Sequence, residues 1–442
     1  MGKGISMAQL NQRKDKKAVK ILQLTSILGI GCTEKTMQIF SKYLKNDEFN
    51  VIIGCVFEGG VRDDLILNER FEIIHFKGDL NRICHFVKEN QVDIVHIHRS
   101  NDYILPLIEM LSSKTACKIV ETNVFGKITN NSIEKKVDMR IFVSKFCAMR
   151  FLKKYNLSIN EFWEKNRVIY NPLDLEVYHE IDEKKKMGFK ESLSINKNHF
   201  LIGRFGRPDS YKFGEICIKM IPHLIKKTMN FTYLIVGCPP EIKNYINKNK
   251  LSEYVVILDN IIDDSELSTF INSIDILAHS SLIGESFGCT IAEAMSQGKP
   301  VIVNSTPYFD NAQIELVDHN KNGYVANNLE VYVNAVYDLM ENRSKLETFK
   351  IDAIKKSRMF YAPRLTEDLR QIYYELIDLE ASYTPVIDKY DLESFFEEYD
   401  KRLKLSYNRN TLRDQVHFKT NYLKKKYIGF TSISKKLLCH LK

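Results

Sequence analysis

None of the nine cysteines in this 442-residue chain pairs with another as C-x-x-C. Cys32, Cys55, Cys84, Cys117, Cys147, Cys217, Cys238, Cys289 and Cys439 form an odd, scattered set. That pattern argues for a reducing compartment and against structural zinc. Long apolar runs are also missing, because Asp or Lys interrupts each of them, and Lys14, Lys16 and Lys17 precede no stretch of signal-peptide type. The expectation is a cytoplasmic chain that does not span a membrane. Internal repeats and low-complexity segments are absent too, and nothing in the composition points to a disordered or fibrous protein. What the chain does have is ordinary core material, 44% hydrophobic residues, in a length that suits two domains and an appendage.

Short apolar runs alternate with helix-length segments, as in βαβ units. In the first half the runs are 18–24, 50–57, 71–76, 93–98, 118–121, 140–143 and 167–170, which read as buried parallel strands. A charged, helix-prone segment at 182–186 marks an interdomain link, and the pattern restarts at 200–205, 232–237, 255–258, 274–278 and 301–304. The fold class is therefore α/β, two Rossmann-like doubly wound domains whose strand ends face one cleft. The boundaries fall at 1–180, 187–357, a helical segment at 358–382 and a basic amphipathic tail at 383–442.

The most informative segment runs from Glu285 through Ser286, Phe287, Gly288, Cys289 and Thr290 to Glu293, and then to Gly298 and Pro300. Gly298 with Pro300 beyond it is a helix stop, so the helix begins at or just after Gly288. The first N–H groups of a helix and the positive end of its dipole suit a diphosphate, and glycine allows close approach. Side chains on a helix lean toward its N-terminus, so Glu293 reaches back toward the same ligand. Its carboxylate accepts from two adjacent hydroxyls, as on a ribose, while Glu285 lies outside the helix where a donor sugar would sit. An acidic loop running into an ordinary surface helix is the alternative.

This segment resembles the E-x7-E signature of retaining GT-B glycosyltransferases, most closely family 4. Further matches follow in family order: 20–22 leading to Gly29, Gly31 and Glu34; 93–98; 143–144; 169–174; 202–204; and 234–237 with Gly237. The resemblance implies retaining transfer of a hexosyl-type group from a UDP- or GDP-linked sugar to a glycan or lipid-linked acceptor. No metal or other cofactor is implied, and the D-x-D triplet of the metal-dependent GT-A enzymes is absent. The family also places an Arg and a Lys where the leaving diphosphate develops charge. Here Arg204 follows Gly203 as that pattern asks, whereas Arg207 has the usual distance to Lys212, so both arginines stay candidates beside Lys212. The base is expected near Asn260. Ser280 and Ser281 suit either a ligand contact or a strand-to-loop turn.

On the acceptor side, Gly29 and Gly31 allow backbone to approach phosphate or acceptor, although Cys32 stands where relatives carry a further glycine. The third glycine of the dinucleotide fingerprint is replaced by Glu34, which disfavours a nicotinamide cofactor. His96 and His98 share one strand face; His98 ends the run at the crevice, and His96 reads equally well as a core residue. Where many relatives carry a histidine after the next strand, this chain offers Asn123, which hydrogen-bonds but takes no proton.

The stretch 365–379 has helical periodicity, and in the family a last helix crosses back to the first domain. Leu392, Phe395, Phe396, Tyr399 and Leu403 form a second stripe, followed by basic residues from Lys401 to Lys442 with interleaved Tyr422, Tyr427 and Phe430. Such a tail suits an anionic membrane surface, which would place the enzyme peripherally at an inner face. A solvated tail is the other expectation, and nucleic acid is disfavoured because no recognition motif accompanies the charge. A nucleotide-sugar epimerase and a noncatalytic GT-B partner protein are the alternative functions. The assembly state is not legible.

Overall fold

A computed structural model of the chain describes residues 18–46, 48–99, 105–126, 131–178, 181–306, 309–378 and 384–407. The basic residues beyond 407, and with them most of the tail expected to meet a membrane, lie outside the described residues. Two compact units result, Met1–Leu175 with Met359–Asp391, and Glu176–Arg358 with Leu392–Lys442.

The first unit is built on a parallel sheet of seven strands: β1 (Val19–Thr25), β2 (Phe49–Cys55), β3 (Ile73–His75), β4 (Ile94–Arg99), β5 (Lys118–Asn123), β6 (Met139–Phe142) and β7 (Asn166–Val168). Their order is β3-β2-β1-β4-β5-β6-β7. Leu22, Leu24, Val95, Ile97 and Ile119 fill one face of that sheet with helix side chains such as Leu107 and Leu111. Alternation along a strand puts Gln23, His96 and His98 on the other face. The helices α1 (Cys32–Leu44) and α4 (Ala362–Leu376) belong to this unit. α4 starts with Pro363 in its first turn and buries Leu365, Leu369, Ile372 and Tyr373. Its Tyr373 ring meets Phe49 edge-on at 6.1 Å. The helix ends at Leu376, short of the expected 379, because Asp378 turns left-handed at φ 57°.

The second unit carries β8 (Phe200–Arg204), β9 (Phe231–Val236), β10 (Val255–Leu258), β11 (Ile276–Ala278), β12 (Val301–Val303) and β13 (Gly323–Val325), parallel and in the order β10-β9-β8-β11-β12-β13. β13 has no counterpart among the strands expected from sequence. It is three residues long, and its Gly323 leaves room where a Cβ would meet the Val301 carbonyl oxygen at 2.0 Å. The charged segment 182–186 forms the start of α2 (Glu183–Ser192), where Asp182 caps the Lys185 N–H at 2.7 Å.

α3 (Cys289–Ser296) starts and stops where Gly288, Gly298 and Pro300 place it. Three residues of the stripe on α5 (Lys389–Tyr407), Leu392, Phe395 and Tyr399, are buried in the second unit, and Asn311 Nδ2 donates to the Tyr399 hydroxyl at 3.1 Å. No helix of the described residues is long and apolar enough to cross a membrane.

Candidate functional site

The strand order of the second sheet reverses between β8 and β11, which are direct neighbours with Leu277 opposite Gly203. In an open parallel sheet, the crevice beyond the strand ends at such a reversal is where ligands bind. The loops leaving β8 and β11 carry the charged residues. Lys212 Nζ donates to Glu285 Oε2 at 2.9 Å and to the Gly284 carbonyl at 2.8 Å. His279 Nε2 lies 3.2 Å from Glu285 Oε1, and the Glu285 N–H donates to Gln313 Oε1 at 3.0 Å. The Glu285 side chain is only 14% exposed. Burial pushes its carboxyl up, but the Lys212 ammonium and His279 outweigh that and hold it at about 2. Glu285 is therefore an anion at neutral pH, and an acceptor of hydrogen bonds rather than a proton donor.

The two arginines separate by burial. Arg204 is 3% exposed, its guanidinium lies 5.2 Å from the Phe213 ring centroid, and it donates to the carbonyls of Phe205 and Lys212, the latter at 2.5 Å. It braces the loop that delivers Lys212. Arg207 is exposed on that loop.

Four segments meet around the start of α3. Gly288, the residue that opens the helix, sits at φ 107° and as a glycine brings no capping side chain of its own. A Cβ on Gly206 would lie 3.9 Å from Thr290 Cγ2, and one on Gly237 would lie 1.8 Å from the Gly206 carbonyl oxygen and 3.2 Å from Asn260 Oδ1. The loop after β8 thus reaches the first turn of α3, and the ends of β9 and β10 meet that loop, with Asn260 exposed and Thr290 half-buried. Ser286 and Cys289 are half-buried beside them, whereas the Phe287 side chain is 1% exposed and belongs to the core.

Glu293, one turn into the helix, is 4% exposed and accepts the Tyr178 hydroxyl at 2.9 Å. Ser280 and Ser281 tie the loops together, donating to the Gly214 carbonyl at 2.8 Å and the Gly284 carbonyl at 3.1 Å.

In the first unit, the expected acceptor-side residues are more deeply set. His98 is fully buried, with Nε2 2.7 Å from Gln23 Oε1, and burial lowers its imidazole to about 3. His96 is a core residue, held by the Tyr373 hydroxyl at 2.7 Å and Thr122 Oγ1 at 2.8 Å. Asn123 is 3% exposed, donates to Glu121 Oε1 at 3.1 Å and accepts the Gly126 N–H at 2.9 Å. Gly31 has an ordinary extended backbone, and a Cβ there would stand 2.2 Å from Glu34 Oε2. The glycine makes room for that carboxylate of its own chain.

The sequence reading missed His279, Gln313, Tyr178 and Tyr373. For His279 a signal exists, since it is a polar residue directly after a strand that borders the reversal point. Gln313 and Tyr178 reach the two glutamates from 28 and 115 residues away, so no local pattern marks them.

Residues 196–342 match the family model described as glycosyl transferases group 1. HepE from Anabaena, solved in complex with UDP and glucose, superposes with a TM-score of 0.68 at 18% identity, covering 80% of this chain and 99% of that one. The fold is GT-B. A glycosyltransferase from Rickettsia africae gives 0.68 at 20% identity over 83% of this chain and 100% of that one. WaaG, a glycosyltransferase involved in lipopolysaccharide biosynthesis, gives 0.60 at 12% identity over 80% and 99%. By sequence, the chain is 23% identical over 232 residues to an uncharacterized 41.2 kDa protein in the cps region of Klebsiella pneumoniae. The match takes in 50% of this chain and spans 62% of that relative's length. The family model thus matches within the second unit, and the solved neighbours share the fold over about four fifths of the chain.

Proposed function

We propose that the protein transfers a sugar from a nucleoside diphosphate sugar, UDP- or GDP-linked, to a hydroxyl of a glycan or lipid-linked acceptor, with retention of configuration and without a metal. The observation that carries this is the Lys212–Glu285 pair, with the carboxylate held anionic, beside the glycine start of α3 at the reversal point of the second sheet. Fixed positive charge where a diphosphate leaves is what a metal-free transfer needs, and Lys212, Arg207 and the α3 N-terminus supply it. Glu285 accepts from hydroxyls of the donor sugar, and Glu293 exchanges the Tyr178 hydroxyl for those of the ribose.

In the reaction, the bond from the anomeric carbon to the diphosphate oxygen breaks and a bond to the acceptor oxygen forms on the same face. The acceptor's proton passes to the departing phosphate. Glu285 stays ionised throughout, so it stabilises and orients the sugar rather than moving the proton.

The HepE neighbour was solved with UDP, which favours testing uridine donors first. Thermal shift with UDP, GDP and ADP comes first, because a ligand that binds only the folded form raises its stability by about 2.7 kcal/mol at a hundredfold excess over Kd. Incubation with labelled UDP- and GDP-sugars then separates outcomes. Sugar transfer or slow hydrolysis supports the proposal, an isomerised sugar would make the protein an epimerase, and no shift or turnover with any donor would leave it a noncatalytic partner.

A further inference from the structure

His279 is the first residue beyond β11, and its ring is almost wholly buried among charged groups. Its backbone is fixed on both sides: the N–H donates to the Ile302 carbonyl at 2.9 Å, and the His279 carbonyl accepts the Tyr332 hydroxyl at 3.3 Å. Of the two ring nitrogens, Nε2 meets Glu285 Oε1 at 3.2 Å and Nδ1 has no partner. Since a carboxylate only accepts, the proton sits on Nε2 and the ring donates. Burial, with the Arg204 guanidinium adding to it, lowers the imidazole to about 4 despite the Glu285 carboxylate, so the donating ring is neutral at pH 7. A buried ring nitrogen left without a partner is costly, and an apolar side chain at this position would avoid that cost. The cost is intelligible if the other nitrogen has a task.

We propose that His279 is a positioning residue of the transfer reaction, holding Oε1 of Glu285 while Lys212 holds Oε2, so that the carboxylate meets the donor sugar at a fixed angle. This rests on the reading of the Lys212–Glu285 pair as the donor-sugar site. Each carboxylate oxygen can accept twice, so one donor on each leaves one position per oxygen for two sugar hydroxyls. With Lys212 alone, the carboxylate turns about a single contact to a long flexible stem. The second donor comes from the neighbouring strand's loop and removes that freedom, which is the preorganisation catalysis depends on.

The test compares the full chain with His279→Gln and His279→Leu. Gln keeps an amide N–H within reach of the same oxygen, and Leu keeps bulk without a donor. Three quantities are measured: the thermal shift with UDP, the release of nucleotide from UDP-glucose, UDP-galactose, UDP-N-acetylglucosamine and GDP-mannose, and the titration of Glu285 by carbon-13 NMR of its carboxyl.

The expected result for Leu is a Tm close to wild type, an unchanged UDP shift, a kcat lower by roughly tenfold to a hundredfold and a Glu285 carboxyl that titrates higher. Gln is expected to restore both kcat and the titration. Wild-type kcat and titration in Leu, or a Gln variant as impaired as Leu, would overturn the proposal. If wild type itself shows no nucleotide shift and no turnover, the donor-site reading fails, while the titration still reports separately whether His279 holds Glu285.

Discussion

At the scale of single residues, what decides the chemistry is which groups keep or lose a charge. Glu285 would be neutral in an apolar pocket, and the Lys212 ammonium is what keeps it an anion. Glu285→Gln preserves the shape but removes the charge that pairs with Lys212. Turnover is expected to fall on the order of a hundredfold, with nucleotide affinity changed little, as read from kcat against the UDP thermal shift. Protonation gives a second expectation. His98 and His279 are held neutral, at about 3 and about 4, below the ordinary 6.5. Between those values the unfolded chain binds more protons than the folded one, so the stability from neutral burial is complete above about pH 6.5 and is lost as the pH falls toward 4 and 3. Glu285 adds its own loss only below its ordinary 4.5, toward 2. Unfolding midpoints taken from pH 7 to pH 4 should decline steadily, and His98→Gln should flatten the decline. A midpoint independent of pH across that window would contradict the buried neutral histidines.

At the scale of elements, Gly288 is the residue on which the start of α3 depends. Its φ of 107° is a conformation L side chains rarely adopt, and an added Cβ would press on Ile291 Cδ1 at 3.0 Å. Gly288→Ala should cost about 1–2 kcal/mol in backbone strain, seen as a lower Tm, and should shrink the UDP shift by displacing the first turn. This element was legible in the sequence because its signals are local: a glycine start, an apolar helical run and a glycine-proline stop. The buried strands of both sheets were legible for a similar reason, each being a short apolar run. β13 was not, since three residues beginning with Gly323 carry no periodicity and pair only because β12 lies alongside. The partners of the acceptor-side residues were legible only in part. His98 lies near a strand end, but no local pattern says that Gln23 of β1 occupies it, whereas Asn123 is held within its own stretch of chain, by Glu121 two residues earlier on β5 and by Gly126 three residues on. The ambiguity between Arg204 and Arg207 is of the same kind. Spacing along the chain fits both, and only the pleat of β8, which turns Arg204 inward against Phe213, assigns one to bracing and leaves the other exposed.

At the scale of the whole molecule, the far C-terminal helix supports the Glu285 loop through a chain of buried amides. Tyr399 of α5 accepts Asn311 Nδ2, and Asn311 Oδ1 accepts the Thr306 N–H at 2.8 Å and Ser305 Oγ at 3.2 Å. That fixes the segment from which Gln313 receives the Glu285 N–H, and from which the Ala312 N–H donates to the Glu285 carbonyl at 2.8 Å. Gln313 is itself held, since its Nε2 donates to the Asn304 carbonyl at 3.0 Å and Thr306 Oγ1 at 2.9 Å. Glu285 is thus clamped at its backbone by a segment that depends on a residue 114 positions further along the chain. Tyr399→Phe keeps the ring in the core and leaves the fully buried Asn311 amide without its acceptor, a loss of about 1–3 kcal/mol. The expected outcome is a lower Tm together with a several-fold lower kcat, because loosening the clamp lets the carboxylate drift from the sugar. Tyr390→Phe, an exposed position at the start of the same helix, should change neither. Equal effects from the two substitutions, measured by calorimetry and by nucleotide release, would mean that α5 does not act on the site through Asn311.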